Sequence, residues 1–479
     1  MPPIKKQYLN DESIPSRTAP LIGRYDVLVV GGGPAGIGAS LGAARTGASV
    51  ILAERYGCLG GSSTNQLVNP FMSTFTQKPI LRTAGKIALF PIDHGIGTQI
   101  IKGVFSDLVE QLVAMQGAIP PSFETGYIVP FDPEILKIAA IQMIDAAGVD
   151  TLVHAFASTF LPDKEYPGVV FETKSGPVVI RAKCIVDCTG DGDIAFLAGA
   201  PYKIGRNSDG LMQPMTLYFR VGGFEKNYFY EYIQSHPEQW YGVFGLWDLI
   251  EKATKDGMKE FPREDILLFA GVRDTEVSVN STRVLQVSGI DIWDINKAEW
   301  ESRYQVKQIM TFLQKYVPGF QNSFLMQTAP QIGIRETRRI MGDYVLTGND
   351  VMKANKFYDA IACCAYPLDI HNPLGKGTRI EKLPSGDYYE VPLRSLLPEN
   401  CTNILVAGRC ISGTHEAHSS YRIMPEALAT GQAAGILAAF ASKKNTDIRS
   451  IHYSKVQQEL RDQGAVLPNF IKSENPPER

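Results

Sequence analysis

Three clusters in this chain combine residues suited to binding or catalysis. The first is Gly31-x-Gly33-x-x-Gly36, which encloses Pro34 and Ala35. Gly31 permits a tight turn, Gly33 lets backbone N–H groups approach a pyrophosphate, and Gly36 lets a helix pack closely on a strand. Glu54 lies 21 positions after Gly33. A carboxylate there can accept hydrogen bonds from an adenosine ribose. Arg55 follows it, and Gly60, Gly61 and Ser62 let the backbone pass close to an extended dinucleotide. These residues point to dinucleotide binding and leave nicotinamide and flavin forms both open.

The second cluster is Gln331-Ile-Gly-Ile-Arg335-Glu-Thr-Arg338-Arg339. If helical, it would put Arg335 and Arg339 on one face, where two guanidinium groups could clamp a carboxylate or phosphate. The competing reading pairs them with Glu336 and Asp343. The third cluster holds the histidines. Asp369 stands two residues before His371 and could orient its imidazole for acid–base work; a structural histidine is the alternative. His415, His418, Tyr421 and Arg422 sit just before an alanine-rich segment, and His94 is a weaker candidate. The histidines are too scattered for a metal-ligand spacing, so no metal is expected.

These residues need a scaffold, and the hydrophobic pattern supplies one. Residues 25–30 form a valine-rich apolar run, 37–46 carry helical spacing, and 49–53 return as a strand. Strand, glycine turn, helix and strand in this order make a βαβ unit. Asp132 and Pro133 predict a helix start. Residues 149–156 read as a strand, and 168–188 as a β-meander turning at Ser175-Gly176. Residues 205–395 lose the βαβ rhythm and hold all four tryptophans. A strand at 403–407 and a helix from Pro425 resume it. The expected fold is α/β: a Rossmann-like domain with a central parallel sheet and β-meander, plus an inserted mixed α+β substrate domain. The boundaries expected are 24–204, with an irregular insertion at about 62–130, then 205–395 as the cap, then 396–472 as the rest of the first domain.

Composition narrows the partners. The chain has 479 residues, 44% apolar and 20% charged, with a formal net charge of −3. No basic field is present to hold nucleic acid. The longest apolar stretch, near 435–441, falls short of the ~18 residues a membrane span needs. Seven cysteines, an odd number, make no disulfide framework. No signal peptide is read at the N-terminus, so the expected compartment is cytoplasmic. The expected partners are a small-molecule substrate and further copies of the chain in a homo-oligomer.

Further motifs are Thr189-Gly190-Asp191-Gly192-Asp193, Val406-Ala-Gly408-Arg409-Cys-Ile-Ser412, Thr414–Arg422 and Gly431-Gln-Ala-Ala-Gly435. With Gly31–Gly36, Glu54, Gly60-Gly61 and Ile334–Arg339, they make the chain resemble the FAD-dependent oxidoreductases of the two-dinucleotide-binding-domain superfamily, the group of glutathione reductase and fumarate reductase. The resemblance runs from residue 25 to residue 435. It implies FAD extended across the first domain, with pyrophosphate at Gly31–Gly36 and ribose at Glu54. It points the Pro425 helix, with the small residue Ala427, at the flavin's pyrimidine edge. The turn carrying His415, His418, Tyr421 and Arg422 would overhang the isoalloxazine. In the fumarate reductase branch an acid follows the Ala-Gly of the late strand; here Arg409 stands there. A disulfide reductase would need a redox partner for Cys58, and no such partner is near. The implied activity is hydride transfer between flavin N5 and a small polar substrate, in the substrate-oxidising direction. The alternatives are a fumarate-reductase-like C=C reductase and a flavin-binding RNA-modification or assembly protein.

Overall fold

A seven-stranded sheet carries the first domain. The structure, a computed structural model, describes residues 12, 16–77, 89–91 and 97–467; His94 and the C-terminal tail lie outside them. β1 (Leu21–Val30), β2 (Val50–Ala53) and β3 (Asp150–Leu152) run parallel, with β2 in the middle of the three. β6 (Gly176–Asp187) pairs parallel with the other side of β1. β6 is long enough to serve two neighbours on its far edge. Its first half pairs antiparallel with β5 (Gly168–Thr173), which pairs with β4 (Phe156–Leu161). Its last residues pair parallel with strand Ile404–Val406. Residues 27–30 of β1, all of β2, the last residues of β6 and Ile404–Val406 are buried, as their apolar sequences require, while β3 at the edge is exposed.

The helices follow local signals. α1 (Pro34–Arg45) starts three residues before the apolar spacing does, because Pro34 is suited to the first helical position. α2 spans Val104–Ala114. α3 (Pro133–Ala146) opens on Asp132, whose side chain accepts the Glu134 N–H. The strand expected at 149–156 is two strands, broken where His154 takes φ +54°.

A second hydrophobic core is built almost entirely from 215–334. Its six-stranded sheet contains Phe324–Thr328, Phe219–Gly222, Glu276–Val279 and Ile266–Ala270 in that order. Helix Ile292–Tyr316 packs Val306, Ile309, Phe312 and Leu313 into the same core. Residues 340–397 contribute Ile340, Val351, Ile361, Tyr389 and Leu396 to the first core instead. The span 205–395 is thus distributed over both cores. Among the described residues, no single helix is long and apolar enough to cross a membrane.

One contact ties the two ends of the first domain together. α1 crosses helix Met424–Lys444 along facing glycines. A Cβ at Gly431 would clash with the Ala35 carbonyl, and one at Gly435 with the Ala39 carbonyl. Gly38 and Gly42 press in return on the Leu428 and Gln432 carbonyls. Helix propensity alone favours Gly435→Ala by about 1 kcal/mol. Overpacking at a rigid backbone contact costs about 1–3 kcal/mol. Gly435→Ala is therefore expected to lower the denaturant midpoint, and an unchanged or raised midpoint would show that the helices can part.

Candidate functional site

The carboxyl ends of β1, β2, β6 and strand Ile404–Val406 open onto one cavity of about 590 Å³. This is where open parallel sheets place ligands. Gly31, Gly33, Pro34 and Ala35 line it after β1; Glu54 and Arg55 after β2; Cys188, Thr189 and Gly190 after β6; Gly408 and Arg409 after the late strand. Gly61, Ser62, Arg422 and Ala427 complete that side.

The glycines shape this wall by close backbone contact. Gly31 takes φ +102°, and a Cβ there would press on the Cys188 carbonyl. A Cβ at Gly61 would lie 2.7 Å from the Gly33 Cα. Gly60 N donates to the Gly32 carbonyl at 2.8 Å. Gly36 and Gly60 do not reach the cavity; they hold the loops that do. No side chain caps α1, so its first N–H groups carry no capping partner at the cavity.

Carboxylates fix the loops. Buried Glu54 accepts Gly32 N at 2.5 Å and Tyr56 N at 2.9 Å. Burial raises its pKa, and these two bonds work against the rise. Asp187, fully buried, accepts Thr189 Oγ1 at 2.7 Å, Ile194 N at 2.8 Å and Ala195 N at 2.9 Å. It thereby fastens the turn after β6. Asp191 does not line the cavity. Its Oδ1 accepts Arg409 Nη2 at 2.6 Å and so positions Arg409 on the wall. Asp193 lines the cavity and pairs with Arg338 at 2.8 Å; burial, then Asp191 and Asp187, push it up to about 6.

The opposite side comes partly from the second core. Tyr218, Arg263, Arg335, Tyr366, Asp369 and His371 line it. Asp369 Oδ2 accepts Tyr366 OH at 3.1 Å and Arg422 Nη2 at 3.3 Å, and lies 3.3 Å from His371 Nε2. Burial alone would raise Asp369; the His371 ring, Arg422 and Arg335 outweigh it and hold the carboxyl well below the usual range. His371 Nδ1 sits 3.1 Å from Thr378 Oγ1 and 3.4 Å from Arg283 Nη2. Burial brings His371 down to about 3 against the pull of Asp369, and Arg335 reinforces the drop. At neutral pH the ring is neutral, with Nε2–H directed to the ionised Asp369.

Several expected residues lie elsewhere. The chain at 331–338 is not helical, so Arg335 and Arg339 share no face. Arg335 reaches the cavity, whereas Arg339 is buried against Glu336 and the Gly413 and Gly205 carbonyls. Asp343 pairs with Arg449. His415, His418 and Tyr421 do not line the cavity. They occupy the short buried helix His415–Tyr421, which turns them into the core. His415 Nδ1 meets Glu336 at 2.9 Å, and Tyr421 OH donates to the Ile411 carbonyl at 2.9 Å. Neither ring nitrogen of His418 has a hydrogen-bond partner among the described residues, and burial drives its pKa well down. Only Arg422, at the end of that helix, faces the cavity. Cys58 is off the cavity wall, its Sγ 3.4 Å from Asn65 Oδ1. Sequence reasoning missed Tyr218, Arg263 and Tyr366, which belong to no local motif.

A family model described as FAD dependent oxidoreductase matches residues 26–460. The chain belongs to this family. It is an FAD-dependent oxidoreductase, as the sequence motifs implied. Similar solved structures include a geranylgeranyl bacteriochlorophyll reductase-like protein from Thermoplasma acidophilum, at 14% identity and TM-score 0.44, over 92% of this chain and 84% of that one. Another is p-nitrophenol 4-monooxygenase PnpA from Pseudomonas putida, at 12% and 0.43, over 91% and 83%. A third is the flavin-dependent monooxygenase PieE in complex with FAD and substrate, at 13% and 0.37, over 68% and 52%. No curated protein matches the chain.

The state of His371 is testable without substrate. An unfolded imidazole titrates near about 6.5, while His371 in the fold titrates near about 3. Between these values the unfolded chain binds the extra proton. The stability from the neutral ring is therefore complete above about pH 6.5 and lost as pH falls toward 3. Relative to His371→Gln, the wild type should lose up to about 1.4 kcal/mol per pH unit in that window. Urea midpoints of both proteins from pH 7 to pH 4.5 check this; parallel curves would refute a neutral His371.

Proposed function

We propose that FAD lies along the strand ends, and that the enzyme moves a hydride between this flavin and a carbon of a small polar substrate, in the substrate-oxidising direction. The observation that carries this reading is one cavity lined by both the glycine cradle and the Tyr218–Arg335–Asp369–His371–Arg422 cluster. The cradle fits an extended dinucleotide, because Gly33 and Gly61 approach each other with no side chain between them. Bound FAD supplies a two-electron acceptor at N5.

The chain's residues divide the remaining work. Gly31, Gly33, Pro34, Ala35 and the α1 N-terminus receive the pyrophosphate. Glu54 keeps spare lone pairs for the ribose hydroxyls. Arg55, Ser62, Gly408 and Arg409 border the phosphate and ribityl path, with Gly36, Gly60 and Asp191 bracing it from behind. Ala427 and the N-terminus of helix Met424–Lys444 would border the flavin's ring system, and the partial positive charge of that helix end would stabilise added electron density. His371 carries the proton that accompanies the hydride, with Asp369 holding its orientation and stabilising the imidazolium. His415, His418 and Tyr421 have no part in this, because they face the core.

A second reading has a specific observation in its favour. The Tyr218 hydroxyl lines the cavity with no hydrogen-bond partner among the described residues, and burial pushes it up to about 12. A phenol kept protonated suits proton donation to a reduced C=C bond.

Anaerobic mixing separates the two directions. In the preferred one, a polar donor such as an alcohol or amine bleaches the flavin, and His371→Gln slows bleaching by about 10²–10⁴-fold with flavin content unchanged. Bleaching at the wild-type rate in His371→Gln removes His371 from the mechanism. If no donor bleaches the flavin and an enoate reoxidises the chemically reduced enzyme, the direction is the reverse.

A further inference from the structure

The charges around His371 do not balance. Four guanidinium groups meet there, those of Arg263, Arg283, Arg335 and Arg422. Three carboxylates answer them. Asp369 Oδ2 accepts Arg422 Nη2 at 3.3 Å, Asp265 Oδ1 accepts Arg263 Nε at 3.2 Å, and Glu264 Oε2 lies 4.0 Å from Arg283 Nη1. Arg335 receives none among the described residues. Its Nη1 donates to the Pro214 carbonyl at 2.6 Å and to Thr216 Oγ1 at 2.7 Å, and both are neutral acceptors.

The free edge of Arg335 has a definite shape. Its Nε and Nη2 have no hydrogen-bond partner among the described residues. These two nitrogens form the side-on fork of a guanidinium, which matches the two oxygens of a carboxylate. Holding Nη1 on the backbone and Thr216 fixes the plane of that fork before any ligand arrives. Its charge is strained by its surroundings: burial, and then Arg422, bring Arg335 down to about 9. An unpaired guanidinium among other cations is costly to keep, and a bound anion relieves that cost. Tyr218 and His371 line the same cavity wall, so an anion on the fork is held among the groups that would act on its neighbouring carbon.

We propose that the substrate is a carboxylate, held bidentately by Nε and Nη2 of Arg335 with Arg422 as the second cation of the site. This deepens the functional reading above and rests on that cavity being the substrate site. Phosphate is the competing anion, because a guanidinium fork also binds it bidentately.

The test uses flavin-loaded protein and reads the flavin difference spectrum, not turnover. The probes are benzoate, succinate and acetate, with benzamide and acetamide as neutral counterparts and inorganic phosphate as the competing anion. At least one carboxylate should give a saturable difference spectrum, and its amide should bind at least tenfold more weakly. Arg335→Met should weaken the carboxylate by about ten- to hundredfold. Arg335→Lys keeps the charge without the fork and should fall between, which also covers a Met variant that does not fold. Three results overturn the proposal: no carboxylate perturbs the flavin, amides bind as tightly as acids, or both variants bind like the wild type. Tighter binding of phosphate than of any carboxylate also overturns it. A protein that takes up no flavin fails earlier, and sinks the reading of the cavity itself along with this one.

Discussion

Everything at the site depends on how closely α1 and helix Met424–Lys444 approach each other. Ala35 meets Gly431 and Ala39 meets Gly435, so the two helices run in the same direction. Their N-termini therefore arrive together at the cavity, one at Pro34 and the other at Pro425. Each end carries about half a positive charge from its unpaired N–H groups. Two such ends side by side repel each other, and an electron-rich ligand between them turns the repulsion into attraction. The glycines are what let the backbones close to this distance. They also link residue 35 to residue 431, so the chain cannot build the cavity until its two ends have folded together.

The buried carboxylates do the finer positioning. Asp187 gathers the turn after β6 by accepting N–H groups of Ile194 and Ala195. Asp191 holds Arg409, and Asp369 gathers Tyr366, Arg422 and His371. A buried carboxylate left unpaired would be expensive, and these are well paired. Asp187 anchors the first turn of the short helix Asp193–Leu197, Asp191 the 3-10 turn Gly408–Cys410, and Asp369 ties strand Leu368–His371 to the end of helix His415–Tyr421. The rigid strands thus end in loops that are themselves held to definite geometry, which a cofactor site requires.

How much of this was legible in the sequence follows from the range of the forces involved. The first βαβ unit and the Asp132 cap are set by rules spanning a few residues. They appear in the structure close to where the residues placed them. The clamp expected from Arg335 and Arg339 required a helix at 331–339. That segment is irregular instead of helical, and its partners are distant: Thr216, Gly413 and Gly205 decide where its arginines go. The histidines of the 415–421 segment lie off the cavity wall for a similar reason. The segment looked like a polar turn, but it is a buried helix whose imidazoles belong to the core. Tyr218, Arg263 and Tyr366 had no signal at all, since only the packing of the second core on the first brings them to the cavity.

The same packing bears on how a weak base would serve in the proposed reaction. His371 is held neutral by burial and by the nearby charge of Arg335, with Asp369 opposing both. A carboxylate on the fork of Arg335 cancels that nearby charge. One of the influences that lowers His371 is then gone, and Asp369 is left to favour the imidazolium. Binding of the anion would thus raise the proton affinity of the ring at the moment a proton must be taken. The ring would remain a poor base toward water when no substrate is present. On the proposed reading, the excess of one guanidinium would be the means by which substrate binding and proton transfer are linked.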